Sequence, residues 1–513
     1  MSRTGNATRN IIWGIFSKCI MIALPFLMRT IMVHTMGMEF LGLNGLFVSV
    51  LQVLNIAELG INSAIIFSMY KPLAENNDEE VRALMNFYKK CYRIIGIIVL
   101  ALGVLVIPFL RHVISGEVPE GINIYILYAM NLSSMVLSYE VFAHWTPLLI
   151  ANQRNDVVNK ILAICAAIQF GMQASALLFF ENYYLYILVL IIMTIINNTI
   201  AAIMAKKMYP QYYCEGNISP ETFKSIRLKV AGMVFQKIGG VILSSVDIIV
   251  ISAFLGLTSL AIYQNYYYII TALFGILQVI MSSLISTVGN SVATESKEKN
   301  HDDFKKFNFI YIWIVAWWSI CLLCLYQPFM RIWMGEAAML SNELVVLFSI
   351  YFFVHKWCDM LYVYQEATGI WWETKWVPLI AATINLVGNL ILVNIIGLAG
   401  VVISTIVSVI LIYDIGYARV VFKVYFKGKG NYKEYLLRQL FYLGGALVAA
   451  LPVVWVCNIL PVTSTFWTLL SRAVICVALP NVIFVILWNR LPEYKATKQL
   501  LKNILSKRIH LKR

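Results

Sequence analysis

Charged side chains inside long apolar runs are the residues of this sequence whose chemistry most needs an explanation. An ionisable group within a membrane-spanning segment costs about 2.5–3.5 kcal/mol on insertion scales, so each is a functional candidate unless it reaches an interface or a partner. Lys18 and Arg29 share the first apolar run, eleven positions apart. At about 100° per residue they return to within about 20° of one helix face, and Pro25 lies near that face. Both face an internal cavity or neither does. Cavity lining is the preferred reading, and snorkelling to opposite headgroup layers is the bland one.

Further along, Glu58 stands in the second apolar run, where it is placed to pair with Lys18 from an antiparallel neighbour. Lys237 and Asp247 share the seventh run; Asp247 reads either as half of a structural ion pair or as a cation- or proton-coupling carboxylate. His355, Lys356 and Asp359 form a polar knot in the tenth run. His355 and Asp359, four apart, would face each other on a helix, where mutual neutralisation is a blander account than proton relay. Asp414 comes late in the twelfth run, and Lys160 at the start of the fifth is expected to snorkel. Tyr263, Gln264, Asn265 and Tyr266 open the eighth run with two further tyrosines. An interfacial aromatic belt is the first reading, and sugar contact by ring stacking and amide hydrogen bonds the second.

The residues that would mark an enzyme are missing from the pattern. There is no phosphate-binding glycine loop, no H-E-x-x-H, and no long segment outside the apolar runs that could host catalysis. The six histidines are scattered and unpaired with cysteine, so no metal site is indicated. The nine cysteines lie mostly within apolar runs and show no disulfide framework. Cys321 and Cys324 make a C-x-x-C, but inside the run Trp313–Tyr326, where packing is the expected role.

Composition says what must position these side chains. Of 513 residues, 60% are hydrophobic and 13% charged, against about 25% charged in soluble domains. Lipid must be the solvent for much of the chain. The net charge of +14 is not a nucleic-acid footprint, because Lys and Arg fall between apolar runs and near the C-terminus, as expected beside anionic lipid.

A crossing needs about 20 mainly apolar residues. Fourteen segments qualify: 11–33, 41–69, 92–113, 123–149, 158–180, 183–204, 230–254, 258–290, 307–330, 343–365, 376–396, 398–422, 438–460 and 465–488. No small-residue cleavage site follows the polar start, so the first is expected to be retained. Cations crowd alternate connections, including Lys71, Arg82, Lys89 and Lys90, then Lys206, Lys207, Lys224 and Lys229, then Lys297, Lys299 and Lys305, then Lys423, Lys427 and Lys433. The positive-inside rule then places both termini in the cytoplasm of a multi-pass cell-membrane protein. Asp78–Arg93 and the tail after Trp488 have the spacing of amphipathic helices at the membrane surface.

The two halves repeat at an offset near 219. Phe16-Ser-Lys18 matches Phe235-Gln-Lys237, Gly37 matches Gly256, and Leu41 matches Leu260. Pro108-Phe-Leu-Arg111 with Gly116-Glu117 returns as Pro328-Phe-Met-Arg331 with Gly335-Glu336. Six segments per repeat give parallel lobes, suited to alternating access. The expected fold is thus an all-α polytopic membrane protein. A first lobe spans 1–205, a cytoplasmic linker 206–229 and a second lobe 230–425. Segments 13 and 14 occupy 426–490, and a basic cytoplasmic tail 491–513.

Several stretches carry a family resemblance: Asn10-Ile-Ile-Trp-Gly-Ile-Phe-Ser-Lys18, Phe40-Leu-Gly-Leu-Asn-Gly-Leu-Phe47, Asn55-Ile-Ala-Glu-Leu-Gly60 ahead of Lys71-Pro72, and Ala151-Asn-Gln153. With the 6+6+2 layout they make the chain resemble the polysaccharide-transporter branch of the multidrug/oligosaccharidyl-lipid/polysaccharide exporter superfamily, which holds the O-antigen and teichoic-acid type flippases. The resemblance implies a non-enzymatic exporter that flips an undecaprenyl-diphosphate-linked oligosaccharide for surface polysaccharide biosynthesis. Lys18, Arg29 and Lys237 would be the cavity cations that meet the diphosphate. Asp247, Glu58 and Asp359 are the candidates for coupling to a sodium or proton gradient, the sole cofactor-like requirement. Expected partners are the lipid-linked substrate, membrane lipid and other polysaccharide-assembly proteins. An ion-coupled drug or metabolite antiporter is the alternative within transport, disfavoured for cationic drugs by the cations of the first run. A membrane glycan polymerase would need a large outer loop, and a receptor or scaffold would not need the repeat.

Overall fold

The computed structural model describes residues 3–58, 60–116, 118–119, 121–459 and 464–510. No strand occurs among them, and the apolar runs become helices: α1 (Arg3–Thr35), α2 (Met38–Leu54), α3 (Ile61–Ala74), α4 (Asp78–Val106), α5 (Ile124–Glu140), α6 (Thr146–Ala151), α7 (Asn155–Leu178), α8 (Tyr183–Met208), α9 (Pro220–Thr294), α10 (Lys297–Met334), α11 (Asn342–Trp357), α12 (Asp359–Thr368), α13 (Trp371–Thr374), α14 (Trp376–Ile396), α15 (Leu398–Ser408), α16 (Ile415–Val424), α17 (Tyr432–Ile459), α18 (Thr465–Trp488) and α19 (Pro492–His510). Helices suit this solvent, since every backbone polar group in hydrocarbon must find its partner within the protein. The apolar side chains left outside, such as Phe179, Leu451, Trp455 and Ile486, are what lipid would cover.

Among the described residues, eleven helical stretches are long and apolar enough to cross a membrane, twelve if a pair bent by 44° counts as one. The expectation of fourteen differs for three local reasons. Segment 2 is cut into α2, a 3₁₀ turn at Asn55–Glu58 and α3, and neither helix alone is long enough. Segment 4 is the bent pair, Ile124–Glu140 with Ala143–Ala151, turned at Phe142, whose φ is 54°. Segments 7 and 8 run together as α9, broken only at Gly256.

That glycine supports the repeat. Gly256 has φ 84° and ψ 175°, and its counterpart Gly37 has φ 100° and ψ 173°. Such angles are steeply unfavourable for any residue with a Cβ. Gly116 and Gly335, the other matched pair, have φ of 84° and 81°.

The chain divides into two compact units, 1–261 and 262–513. In the first, α1 packs along α7, α7 along α8, and α5 on α4 and α8. Asp78–Arg93 is not a separate surface helix, as the spacing had suggested. It is the first half of α4, capped at Asn77, whose side chain accepts from the Glu80 N–H at 3.1 Å. The linker after α8 docks on this stretch: Arg82 Nε donates to the Gln211 carbonyl at 2.9 Å, its guanidinium covers the Tyr213 ring at 4.3 Å, and Asn86 donates to the Gly216 carbonyl at 2.7 Å. Between α6 and α7, Arg154 grips Asp156 with two bonds of 2.9 and 3.2 Å, and that contact raises the guanidinium above its ordinary value. In the second unit α10 packs against α11, α17 and α18, and α14 pairs with α15. The tail is a helix, α19, tied back by Glu493 to Arg438 at 3.1 Å.

Candidate functional site

Both interrupted crossings of the first unit border one polar cavity of about 310 Å³. Asn55, Glu58 and Asn62 enter it from the break between α2 and α3, Ser138 and Tyr139 from the end of α5, Tyr88 and Tyr92 from α4, and Asn198 from α8. Gly60, in the left-handed region at φ 88°, makes the turn that starts α3. Irregular backbone at membrane depth survives where it lines a water-filled cavity or is sheltered by protein. Two such irregularities at one cavity set it apart from ordinary helix packing.

Among the described residues, Glu58 is its only acidic lining residue. Tyr92 donates to Oε1 and Tyr139 to Oε2, the latter at 3.3 Å, while Tyr139 also reaches Asn55. Tyr88 donates to Asn62 at 3.2 Å and stacks on Tyr92 with centroids 4.2 Å apart. Phenolic donors on a carboxylate offset its burial without neutralising it. The arrangement can hold a negative charge, accept a proton, or present carboxylate and amide oxygens to a small cation. Glu58 therefore takes its bonds from tyrosines and not from Lys18, as the sequence had suggested.

The other candidates separate. Lys18 is exposed on α1, with no ion-pair partner among the described residues, and so is Lys237 on α9. Arg29 is half-buried and acts electrostatically on Tyr186 of α8. Only 17% of the residues in the apolar window of α1 are buried, and Lys18 is among those left exposed. Asp247 is buried and already engaged in contacts within the protein. Lys160 lies 5.6 Å over the Trp13 ring, so it is held by an aromatic face.

In the second unit the polar knot resolves differently from the helical spacing. The helix breaks at Cys358, between α11 and α12. Asp359 therefore pairs with Lys356 at 3.0 Å and accepts from the Tyr311 hydroxyl at 2.7 Å. His355 turns to Tyr351, with centroids 4.4 Å apart, and its Nε2 is buried without a hydrogen bond. It does not face Asp359. Asp414 is buried and accepts from Trp357 Nε1. The run from Tyr263 is not an interfacial belt: Tyr263, Gln264, Asn265 and Tyr266 are all at most 4% exposed. Tyr266 donates to Gln327 at 2.9 Å and packs on Tyr326 and Phe348, so no ring face is open to a sugar in this conformation.

Sequence reasoning found Glu58 but missed Tyr88, Tyr92 and Tyr139. A signal existed: Asn55, Glu58 and Asn62 recur at helical spacing within an otherwise apolar run, and Tyr88 and Tyr92 are four apart.

Residues 7–288 match the family described as polysaccharide biosynthesis protein. The chain belongs to that family. No curated protein sequence matches it. Among solved structures, the lipid II flippase MurJ in an inward closed conformation superposes with a TM-score of 0.64 at 17% identity, covering 94% of this chain and 99% of that one. An inward-facing multidrug resistance MATE family transporter of the MOP superfamily gives 0.59 at 13% identity, covering 80% and 96%. The Vibrio cholerae MATE transporter VcmN, in its bent form, gives 0.52 at 11% identity, covering 86% and 99%. This member of the polysaccharide biosynthesis family thus has the polytopic helical fold of MOP-superfamily transporters.

Proposed function

We propose that the protein is a flippase that carries an undecaprenyl-diphosphate-linked oligosaccharide from the cytoplasmic to the outer leaflet of the cell membrane, by alternating access, for surface polysaccharide assembly. The observation that carries this reading is the exposed Lys18, without an ion-pair partner among the described residues, on an apolar helix of which only 17% of the window residues are buried. A lysine facing hydrocarbon is costly, whereas one facing a cavity supplies fixed positive charge to a headgroup bearing two or more negative charges. Lys237 stands at the equivalent position of the second repeat, and Arg29 lies about 16 Å beyond Lys18 along α1, which makes an inner and an outer station for a diphosphate. Membership in a polysaccharide biosynthesis family and the fold shared with a lipid II flippase support the substrate class.

Of the three carboxylates considered for gradient coupling, Glu58 is the best placed. Asp359 is already neutralised by Lys356, and Asp247 is enclosed, but Glu58 lines an open polar cavity. The test is purified protein in vesicles containing a fluorescently labelled undecaprenyl-diphosphate oligosaccharide. Protein-dependent exposure of the label to an external glycan-modifying reagent, abolished by Lys18→Ala, is the expected result. Equal rates in protein-free vesicles would overturn the proposal.

A further inference from the structure

Four of the nine cysteines converge at one place in the second unit, although they come from three helices. Cys324 belongs to α10, Cys457 to α17 and Cys476 to α18, and their sulfurs all lie within 4.8 Å of one another. All three are buried, at 4%, 2% and 0% exposure. Cys321, one turn before Cys324, is half-buried and places its sulfur 3.8 Å from the Cys476 carbonyl. Arg472, one turn before Cys476, reaches in from α18: it donates to the Cys324 carbonyl at 3.3 Å, acts electrostatically on Cys324 and Cys457, and keeps Nε buried without a hydrogen bond.

Apolar packing explains a buried cysteine, since the thiol behaves as a small hydrophobe. It does not explain three thiols drawn together from distant parts of the sequence, or a guanidinium brought beside them in an apolar bundle. Beside neutral thiols the half-buried guanidinium gains only its bonds to the Cys324 carbonyl and, at 3.5 Å, to Asn458, whereas beside thiolates it is also a counter-charge.

We propose that the thiolates of Cys324, Cys457 and Cys476 bind a thiophilic divalent metal ion of the zinc type, with Arg472 as counter-charge and Cys321, still a neutral thiol, beside the open fourth position. Zinc–sulfur bonds of about 2.3 Å place tetrahedral sulfurs about 3.8 Å apart, so closing the present cluster needs only side-chain adjustment. Binding releases one proton from each thiol that becomes a ligand. A divalent ion with three thiolates carries one net negative charge, which Arg472 cancels. Cuprous ion in the same set would leave a net negative charge in low dielectric, which disfavours it. The ion would tie α17 and α18, the two helices outside the repeat, to α10.

The experiment uses the full chain, purified in detergent under a non-thiol reductant, loaded with Zn(II) and passed over a chelating resin. One zinc per chain should remain by elemental mass spectrometry, and Co(II) in its place should give a thiolate-to-cobalt charge-transfer band. Cys457→Ser and Cys476→Ser should each weaken binding by about tenfold or more, while Cys165→Ser, on α7, leaves it unchanged. Should the serine variants fail to fold, the wild-type protein still decides: zinc must protect Cys324, Cys457 and Cys476 from alkylation without protecting Cys165. Absence of stoichiometric zinc overturns the proposal. So do equal retention by Cys457→Ser, retention of Cu(I) but not Zn(II), and a disulfide among these residues under the loading conditions.

Discussion

The Thr258 hydroxyl donates to Glu39 Oε1 at 3.0 Å, and the two residues are 219 positions apart, the offset at which the halves repeat. Equivalent positions of the two repeats therefore touch. Beside them the backbones approach closely: a Cβ on Gly42 would lie 2.2 Å from the Leu257 carbonyl oxygen. Backbone cannot yield as a side chain does, so Gly42→Ala should destabilise the protein by about 1–3 kcal/mol. Thermal unfolding in detergent would show it. Gly240→Ala, where nothing lies within 4 Å, should stay within about 0.5 kcal/mol of wild type.

Neutralising the cations of α1 should stop export without stopping insertion. Lys18→Ala and Arg29→Ala are expected to abolish surface glycan while membrane levels of the protein stay normal. Arg29→Lys keeps a point charge but loses the planar fork, and should be partly active. Wild-type surface glycan in the Lys18→Ala/Arg29→Ala double variant would sink the cationic-station mechanism.

Glu58→Gln removes the carboxyl group from the polar cavity while keeping its shape. Transport in vesicles should then lose its dependence on an imposed proton or sodium gradient. Tyr92→Phe removes one donor to that carboxylate, at a stability cost of about 1 kcal/mol, and should shift the dependence without erasing it. Asp247→Asn should leave gradient dependence intact. If Asp247→Asn abolishes it and Glu58→Gln does not, coupling belongs to Asp247.

Reporter fusions provide a separate check on orientation. Fusions at Lys71, Lys229 and Lys429 should report cytoplasm, and fusions near Gly116 and Gly335 the outside. One reversed pair within the first twelve segments would break both the parallel repeat and the helix assignment.

Much of the fold was legible because hydrophobic length and glycine placement are local. Gly37 and Gly256 mark matching turns in the text of the sequence, and their backbone angles agree. The breaks in segments 2 and 4 were not legible, since hydropathy averages over polar residues such as Asn55 and Glu58 and reports one long run. Glu58 was visible as a lone acid in an apolar segment, but its tyrosine partners come from other helices and leave no mark on its own periodicity. His355 and Asp359 misled because helical spacing was carried across Cys358, where the helix stops. The meeting of Cys324 with Cys457 and Cys476 depends wholly on how α10, α17 and α18 pack.

The interruption between α2 and α3 bears on how the protein is made. A segment entering the bilayer from the insertion machinery is judged largely by its own apolarity, and here Asn55, Glu58 and Asn62 sit in the middle of it. Its unwound turn leaves the carbonyls ending α2 and the N–H groups starting α3 without intrahelical partners. Such a segment gains little by moving alone into lipid, and its shelter is Tyr88 and Tyr92, which lie on α4 and emerge later. Segment 2 would therefore wait at the lateral exit until α4 follows, entering as part of a hairpin. The chemistry that equips the cavity thus also sets an order of assembly, in which the polar element is committed to the membrane with α4 and not before it.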